Sequence, residues 1–137
     1  MIRTVLDSGP LVAFFDRKDA WHSWAHEQMG VLVPPLLTCE PVLTEACFLL
    51  QRGAGRPTVV LQALQQGILQ VALEVETEAA TLEILMQRYA DVPMSLADAC
   101  LVRLCERHQD SRVLTLDRDF RRYRRHGRQM IPLIVPW

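Results

Sequence analysis

Four acids in this chain stand where ordinary surface acids do not. Asp7 follows the apolar run Ile2–Leu6, and Asp117 follows Val113–Leu116, with Asp119 two residues on. Asp98 precedes Leu101, Val102 and Cys105 at i+3, i+4 and i+7, which puts its carboxylate on, or at the rim of, the apolar stripe of a helix. Glu45 lies in the same way among Val42, Phe48 and Leu49. An ionised carboxylate turned toward a core costs several kcal/mol unless it is paired or metal-bound. No Arg or Lys is evident on the helix face of Asp98, and Asp7, Glu45, Asp98 and Asp117 gathered together would repel one another. Hard divalent cations relieve such repulsion, and donors that are all oxygen select Mg²⁺ or Mn²⁺ over zinc. One or two such ions lower the pKa of a bound water and neutralise a phosphate, which is what phosphodiester hydrolysis requires.

Each acid also has an ordinary reading. Asp7 can cap the helix after it, Asp117 can be a cap or turn residue, and Asp98 can be a first-turn acid favoured by the helix dipole. Glu45 can pair with Arg52 or Arg56, and Glu40 competes with it as the functional acid but falls near the helix start, where acids are common. The functional reading rests on the four together.

The elements that must position these acids alternate. Ile2–Leu6 reads as a buried strand, and Pro10 suits the start of a helix capped by Ser8 or Gly9. Residues 20–29, 38–50, 57–66, 77–89 and 95–108 read as helices, and 68–75, 113–116 and 131–135 as strands. Residues 31–38 are apolar but broken by Pro34-Pro35, so a strand there is short. Residues 117–125 read as a polar helix. This order implies one α/β domain over residues 1–137 with a mostly parallel sheet. Ligands of such sheets sit at the carboxyl ends of the strands, near the switch in strand order.

Composition narrows the class. Half of the 137 residues are apolar and the net charge is −1, which argues against disorder and against a histone-like binder. No apolar run reaches the ~18 residues of a membrane helix, and Asp7 interrupts the N-terminal apolar stretch, so a secretory leader is not expected and a cytoplasmic location is. Cys39, Cys47, Cys100 and Cys105 form no CxxC pair and have apolar neighbours, as core residues in a reducing compartment do. His22 and His26 are four apart, but Trp21 and Trp24 beside them favour packing over a metal.

Val5-Leu6-Asp7-Ser8, Leu43-Thr44-Glu45-Ala46, Pro93-Met94-Ser95-Leu96-Ala97-Asp98-Ala99 and Val113-Leu114-Thr115-Leu116-Asp117-Arg118-Asp119-Phe120 occur in that order over nearly the whole chain. In these blocks the sequence resembles the PIN-domain nucleases and, within them, the VapC-type toxins of bacterial toxin–antitoxin pairs. The resemblance implies a three-layer α/β/α sandwich and a metal-dependent ribonuclease whose products carry 5′-phosphate and 3′-hydroxyl ends. Carried over by position, Asp7, Glu45, Asp98 and Asp117 match the family's acidic quartet. Asp7, Asp98 and Asp117 are then metal ligands, and Glu45 a ligand, directly or through water, or the group that orients the nucleophile. Ser8 and Thr115 match supporting polar residues, Asp119 matches a less regular extra acid, and Gly53-Ala54-Gly55 matches nothing specific. A cognate antitoxin and a homodimer are the partners implied; Trp21, Trp24, Tyr89 and Trp137 also point to self-association.

Six arginines lie between positions 118 and 128. On a helix Arg118, Arg121, Arg122 and Arg125 would share one face, which could hold an RNA backbone beside Asp117, with Tyr123 as a stacking or packing ring. Other α/β phosphate chemistries fit worse: position 9 is glycine where a dehalogenase-type phosphatase needs a second Asp, and Lys18 is the only lysine, too early for a receiver domain. The alternative of another class is a catalytically idle PIN-fold RNA-binding or scaffolding protein.

Overall fold

A computed structural model describes residues 1–137. The elements run β1 (Arg3–Leu6), α1 (Ser8–Phe15), α2 (His22–Val31), β2 (Leu36–Thr38), α3 (Glu40–Arg52), α4 (Thr58–Gln65), β3 (Leu69–Val71), α5 (Val75–Arg88), α6 (Leu96–Arg107) and β4 (Ser111–Leu114). A 3-10 helix (Arg118–Arg121) follows, then β5 (Arg124–Arg125), β6 (Gln129–Met130) and β7 (Leu133–Ile134). β1, β2, β3, β4 and β7 form one sheet in the order β3-β2-β1-β4-β7, and every neighbouring pair is parallel. Val5 and Leu6 of β1 and Val113 and Leu114 of β4 are fully buried, as the central strands of a sheet covered on both faces must be.

Strand order fixes where a ligand can sit. The chain steps outward from β1 to β2 to β3, then crosses back over both to reach β4 on the far side of β1. Right-handed crossovers place the helices of the outward steps on one face and those of the return on the other. α1 accordingly packs on α2 and α3, and α5 packs on α6, giving the expected α/β/α sandwich. The direction of winding reverses between β1 and β4, and the carboxyl ends of these two strands frame the crevice.

Two features brace the helices. Buried Glu78 of α5 accepts hydrogen bonds from Arg103 Nε and Arg107 Nη1 of α6, both at 2.7 Å, and Arg103 also meets Glu106. The Arg103 guanidinium holds the Glu78 carboxyl below its usual range. On the other face, buried Asp16 accepts from Lys18 N at 2.9 Å and from Ala54 N at 3.2 Å, tying the end of α1 to the loop after α3. The Gly53-Ala54-Gly55 segment, which matches nothing specific in the family, thus ends α3, with Gly53 as its cap, and also receives Asp16. A Cβ on Gly53 would run into the Asp16 carboxylate, and one on Gly55 into the Leu50 side chain.

The polar helix expected over 117–125 does not form. Phe120 and Tyr123 are both buried, and Tyr123 packs edge-on against Phe120 and Tyr89. Spacing of three suits one 3-10 turn. The chain then turns into the β5–β6 hairpin through His126 and Gly127, whose φ of 53° and 80° are the left-handed pair that a tight hairpin needs. A helical arginine face therefore does not exist, and Arg125 is spent locally, its Nη1 donating to Gln109 O at 3.0 Å.

Gly53→Ala should lower unfolding free energy by about 1–3 kcal/mol through displacement of Asp16. Gly30→Ala in α2, where a Cβ would meet nothing within 4 Å, should be neutral or stabilising by up to ~1 kcal/mol. Urea denaturation of both variants checks the contrast.

Candidate active site

Asp7 ends β1 and caps α1, and its position is locked by two donors. Its Oδ1 accepts from Ser8 N at 2.7 Å and its Oδ2 from the buried Thr115 hydroxyl at 2.7 Å. Thr115 Oγ1 in turn accepts from Asp117 N at 2.9 Å. One hydroxyl thus ties the chain leaving β1 to the chain leaving β4. Asp117 caps the 3-10 helix, its Oδ1 accepting from Asp119 N at 2.9 Å.

Asp98 stands at the third position of α6 in a reciprocal capping box. Ser95 N donates to Asp98 Oδ2 at 3.1 Å, and Asp98 N donates to Ser95 Oγ at 3.0 Å. The Tyr123 hydroxyl donates to the same Oδ2 at 3.2 Å. Tyr123 is therefore a buried brace and not a surface ring, and burial together with the Asp98 carboxylate pushes its hydroxyl pKa up. Glu45 projects from α3 and accepts from the Ser8 hydroxyl. It pairs with neither Arg52 nor Arg56, since the chain's ion pairs all lie on α5 and α6.

Asp7, Ser8, Glu45, Asp98 and Asp117 line one cleft of about 410 Å³ with Gly9, Leu49, Ser95, Ala97 and Leu116. No Arg or Lys is among the lining residues. Thr115 lies beneath the cleft, and Asp119 lies outside its lining, where its backbone positions Asp117. His22 and His26 lie elsewhere: His22 Nδ1 donates to Ala13 O at 2.7 Å, and His26 stacks on Phe14. The sequence does not single out Ser95 as a site residue, although Ser95-x-x-Asp98 is a legible capping spacing.

The electrostatics follow from burial without a counter-charge, which the hydrogen bonds to Asp7 and Asp98 offset only in part. Asp7 is 7% exposed, and desolvation pushes its carboxyl up to about 7, with the Asp98 and Asp117 charges adding to the rise. Asp98 is also raised, by burial first and by Asp117 in addition. Asp98, Asp117 and Glu45 each use one carboxylate oxygen within the protein and leave the other without a protein donor. The donor set, carboxylate and hydroxyl oxygen throughout, fits a hard divalent cation. The side chains are not drawn together into a closed ligand group.

A folded-state pKa above the unfolded value means stability that is present at low pH and lost as pH rises through the folded pKa. Metal-free protein should therefore lose stability between about pH 4 and pH 8 on account of Asp7. Asp7→Asn should flatten that slope and be more stable at pH 8 by about 1–4 kcal/mol. Thermal melts in EDTA across this range measure both.

Comparison with known proteins bears on the family and the fold. A family model for the PIN domain matches residues 4–126. Ribonuclease VapC26 of Mycobacterium tuberculosis is 27% identical over 116 residues, which covers 83% of this chain and 86% of that protein. The crystal structure of Mycobacterium tuberculosis VapC20, a toxin that cleaves the sarcin-ricin loop, superposes with a TM-score of 0.72 at 21% identity, covering 85% of this chain and 91% of that one. That likeness is one of fold. The family match takes in Asp7, Glu45, Asp98 and Asp117 together, and the chain belongs to the PIN domain family.

Proposed function

We propose that this protein is a magnesium-dependent ribonuclease that hydrolyses RNA phosphodiester bonds and acts as the toxin of a VapBC-type toxin–antitoxin pair. The observation that carries the reading is the convergence of four carboxylates, from four separate elements, on a cleft with no cation in its lining. The ribonuclease and toxin names of the relatives support it. Asp7, Asp98 and Asp117 would hold the ion, one or two Mg²⁺ with Mn²⁺ as a substitute, and Glu45 would join them directly or through water. Bound there, the ion would supply a water of lowered pKa and neutralise the phosphate.

The chain's own residues do the rest. The Ser8 hydroxyl fixes the Glu45 carboxylate, which is exposed enough to meet a water or substrate at the cleft mouth. Thr115 holds Asp7 and Asp117 in register, and Tyr123 and Ser95 hold Asp98, so these carboxylates are anchored before any ligand arrives. Leu49, Ala97 and Leu116 supply apolar wall beside the acids, which limits water and strengthens charge interactions. Products would carry 5′-phosphate and 3′-hydroxyl ends. A cognate antitoxin and a second copy of the chain are the protein partners this reading includes, and the site of action is the cytoplasm. No helix is long and apolar enough to cross a membrane.

Purified protein should cut a labelled RNA in Mg²⁺ or Mn²⁺ and stop in EDTA, and Asp98→Asn should lose cleavage while still melting cooperatively. Cutting that persists in EDTA or in Asp98→Asn would overturn the reading, as would RNA binding without cleavage under any divalent ion. Thr115→Val removes the hydroxyl that joins Asp7 to the Asp117 backbone. It should weaken metal affinity or activity by about 10- to 100-fold, measured as the shift in the Mg²⁺ concentration that gives half-maximal rate.

A further inference from the structure

β4 and β7 are parallel neighbours, so the segment leaving β7 emerges at the same sheet edge as Asp117. Thr115 N still donates to Ile134 O at 3.2 Å, which keeps the two segments together as they leave the sheet. Beyond β7, Trp137 lies against the 3-10 helix that Asp117 caps. The guanidinium carbons of Arg118 and Arg121 each sit 4.3 Å from the centroid of its ring.

Two like charges on one indole are no farther apart than twice that distance, and their repulsion opposes the arrangement. The ring quadrupole attracts both and offsets it. Neither arginine has an acid partner, because the chain's ion pairs involve only Arg103 and Arg107. Their neighbours differ: Arg124 Nη1 donates to the carbonyls of Arg121 and Tyr123, and Arg125 Nη1 to that of Gln109. Arg118 and Arg121 thus carry charge without an acid partner, each guanidinium carbon resting over the ring. The N–H edges remain for a bidentate acceptor, the geometry that phosphate oxygens satisfy.

We infer that Trp137 is a positioning residue that holds Arg118 and Arg121 as a two-pronged clamp for the RNA phosphate backbone on the 3-10 helix that Asp117 of the carboxylate cleft caps. This rests on the ribonuclease reading. The cleft acids repel a polyanion, and a pair of fixed cations on the strand edge beside them offsets that repulsion where the backbone must enter. A stacked guanidinium also has less rotamer freedom to lose on binding than a free one. The pairing replaces the helical face expected from the sequence: Arg118 and Arg121 remain, while Arg125 is engaged in the hairpin and Arg122 is exposed without the ring.

The test is equilibrium binding of a fluorescein-labelled single-stranded oligoribonucleotide in EDTA, where nothing is cut, over a range of salt concentrations. Arg118→Ala and Arg121→Ala should each lower the slope of log affinity against log salt by about 0.7, the loss of one phosphate contact. Trp137→Leu keeps apolar bulk without a π face and should weaken binding about three- to tenfold, while Trp137→Phe stays within about twofold of wild type. With Mg²⁺ the same Leu variant should show its loss in KM more than in kcat. Binding by Trp137→Leu equal to wild type would reduce the indole to packing, and unchanged salt slopes in the arginine variants, or no RNA binding at low salt, would also overturn the clamp. Cleavage that continues with unaltered slopes would defeat the clamp alone. Wild-type binding with the expected slopes but no cleavage under any divalent ion would defeat the ribonuclease reading and leave the clamp standing.

Discussion

Charge buried without a counter-charge is the constraint around which this molecule is arranged. Asp7 sits where the winding of the sheet reverses, over a floor of fully buried Val5, Leu6, Val113 and Leu114. A carboxylate in that position is desolvated by the sheet and opposed by Asp98 and Asp117. A fold that sought only stability would bring an arginine to it, and this chain has fourteen arginines to choose from. Instead Arg103 and Arg107 are committed to Glu78, Arg125 to a backbone carbonyl, and Arg118 and Arg121 to an aromatic ring. The cost at the cleft is borne by the large core beneath it.

The ordinary and the functional readings of the acids turn out to be the same interaction seen from two sides. Asp7 caps α1, Asp98 closes a capping box, and Asp117 caps the 3-10 helix. A cap fixes a carboxylate by hydrogen bonds to a rigid backbone, more tightly than a long side chain in solvent could be held. In Asp98 and Asp117, both of which line the cleft, the cap uses one oxygen and leaves the other without a protein donor. Helix termini are therefore the means by which the fold aims its acids, and the stability each cap contributes offsets part of the repulsion that aiming creates.

How far this was legible in the sequence depends on the range of the interaction. Asp7 and Asp117 could be read from the apolar runs before them, and Asp98 and Glu45 from helical spacing, because strand ends and helix faces are local properties. The parallel α/β sheet followed from the alternation of those elements. Residues 117–125 read as a helix because their polarity resembles one, but the burial of Phe120 and Tyr123 beside Tyr89 imposed a 3-10 turn and a hairpin. Tyr123 as a partner of Asp98, and Gly53 and Gly55 as the space that Asp16 and Leu50 occupy, join residues far apart in the chain. No spacing rule encodes such approaches. Thr115 was legible only by its resemblance to a family position; its bond to Asp7, 108 residues away, is a fact of the sheet.

A net charge of −1 is silent about partners, since it sums charges that the fold keeps apart. Once folded, the chain presents a cleft lined by carboxylates and, on the helix that Asp117 caps, two guanidiniums over the ring of Trp137, which follows the neighbouring strand. A cation alone would satisfy the first and an anion alone the second. A phosphodiester accompanied by a divalent ion would satisfy both at once: the carboxylates would hold the ion, the ion would neutralise the phosphate, and the next phosphates along the strand would meet the arginines. Separation of charge across adjacent strand ends, which composition cannot report, is thus the property by which this fold would select a polyanion over a lone ion or a neutral ligand.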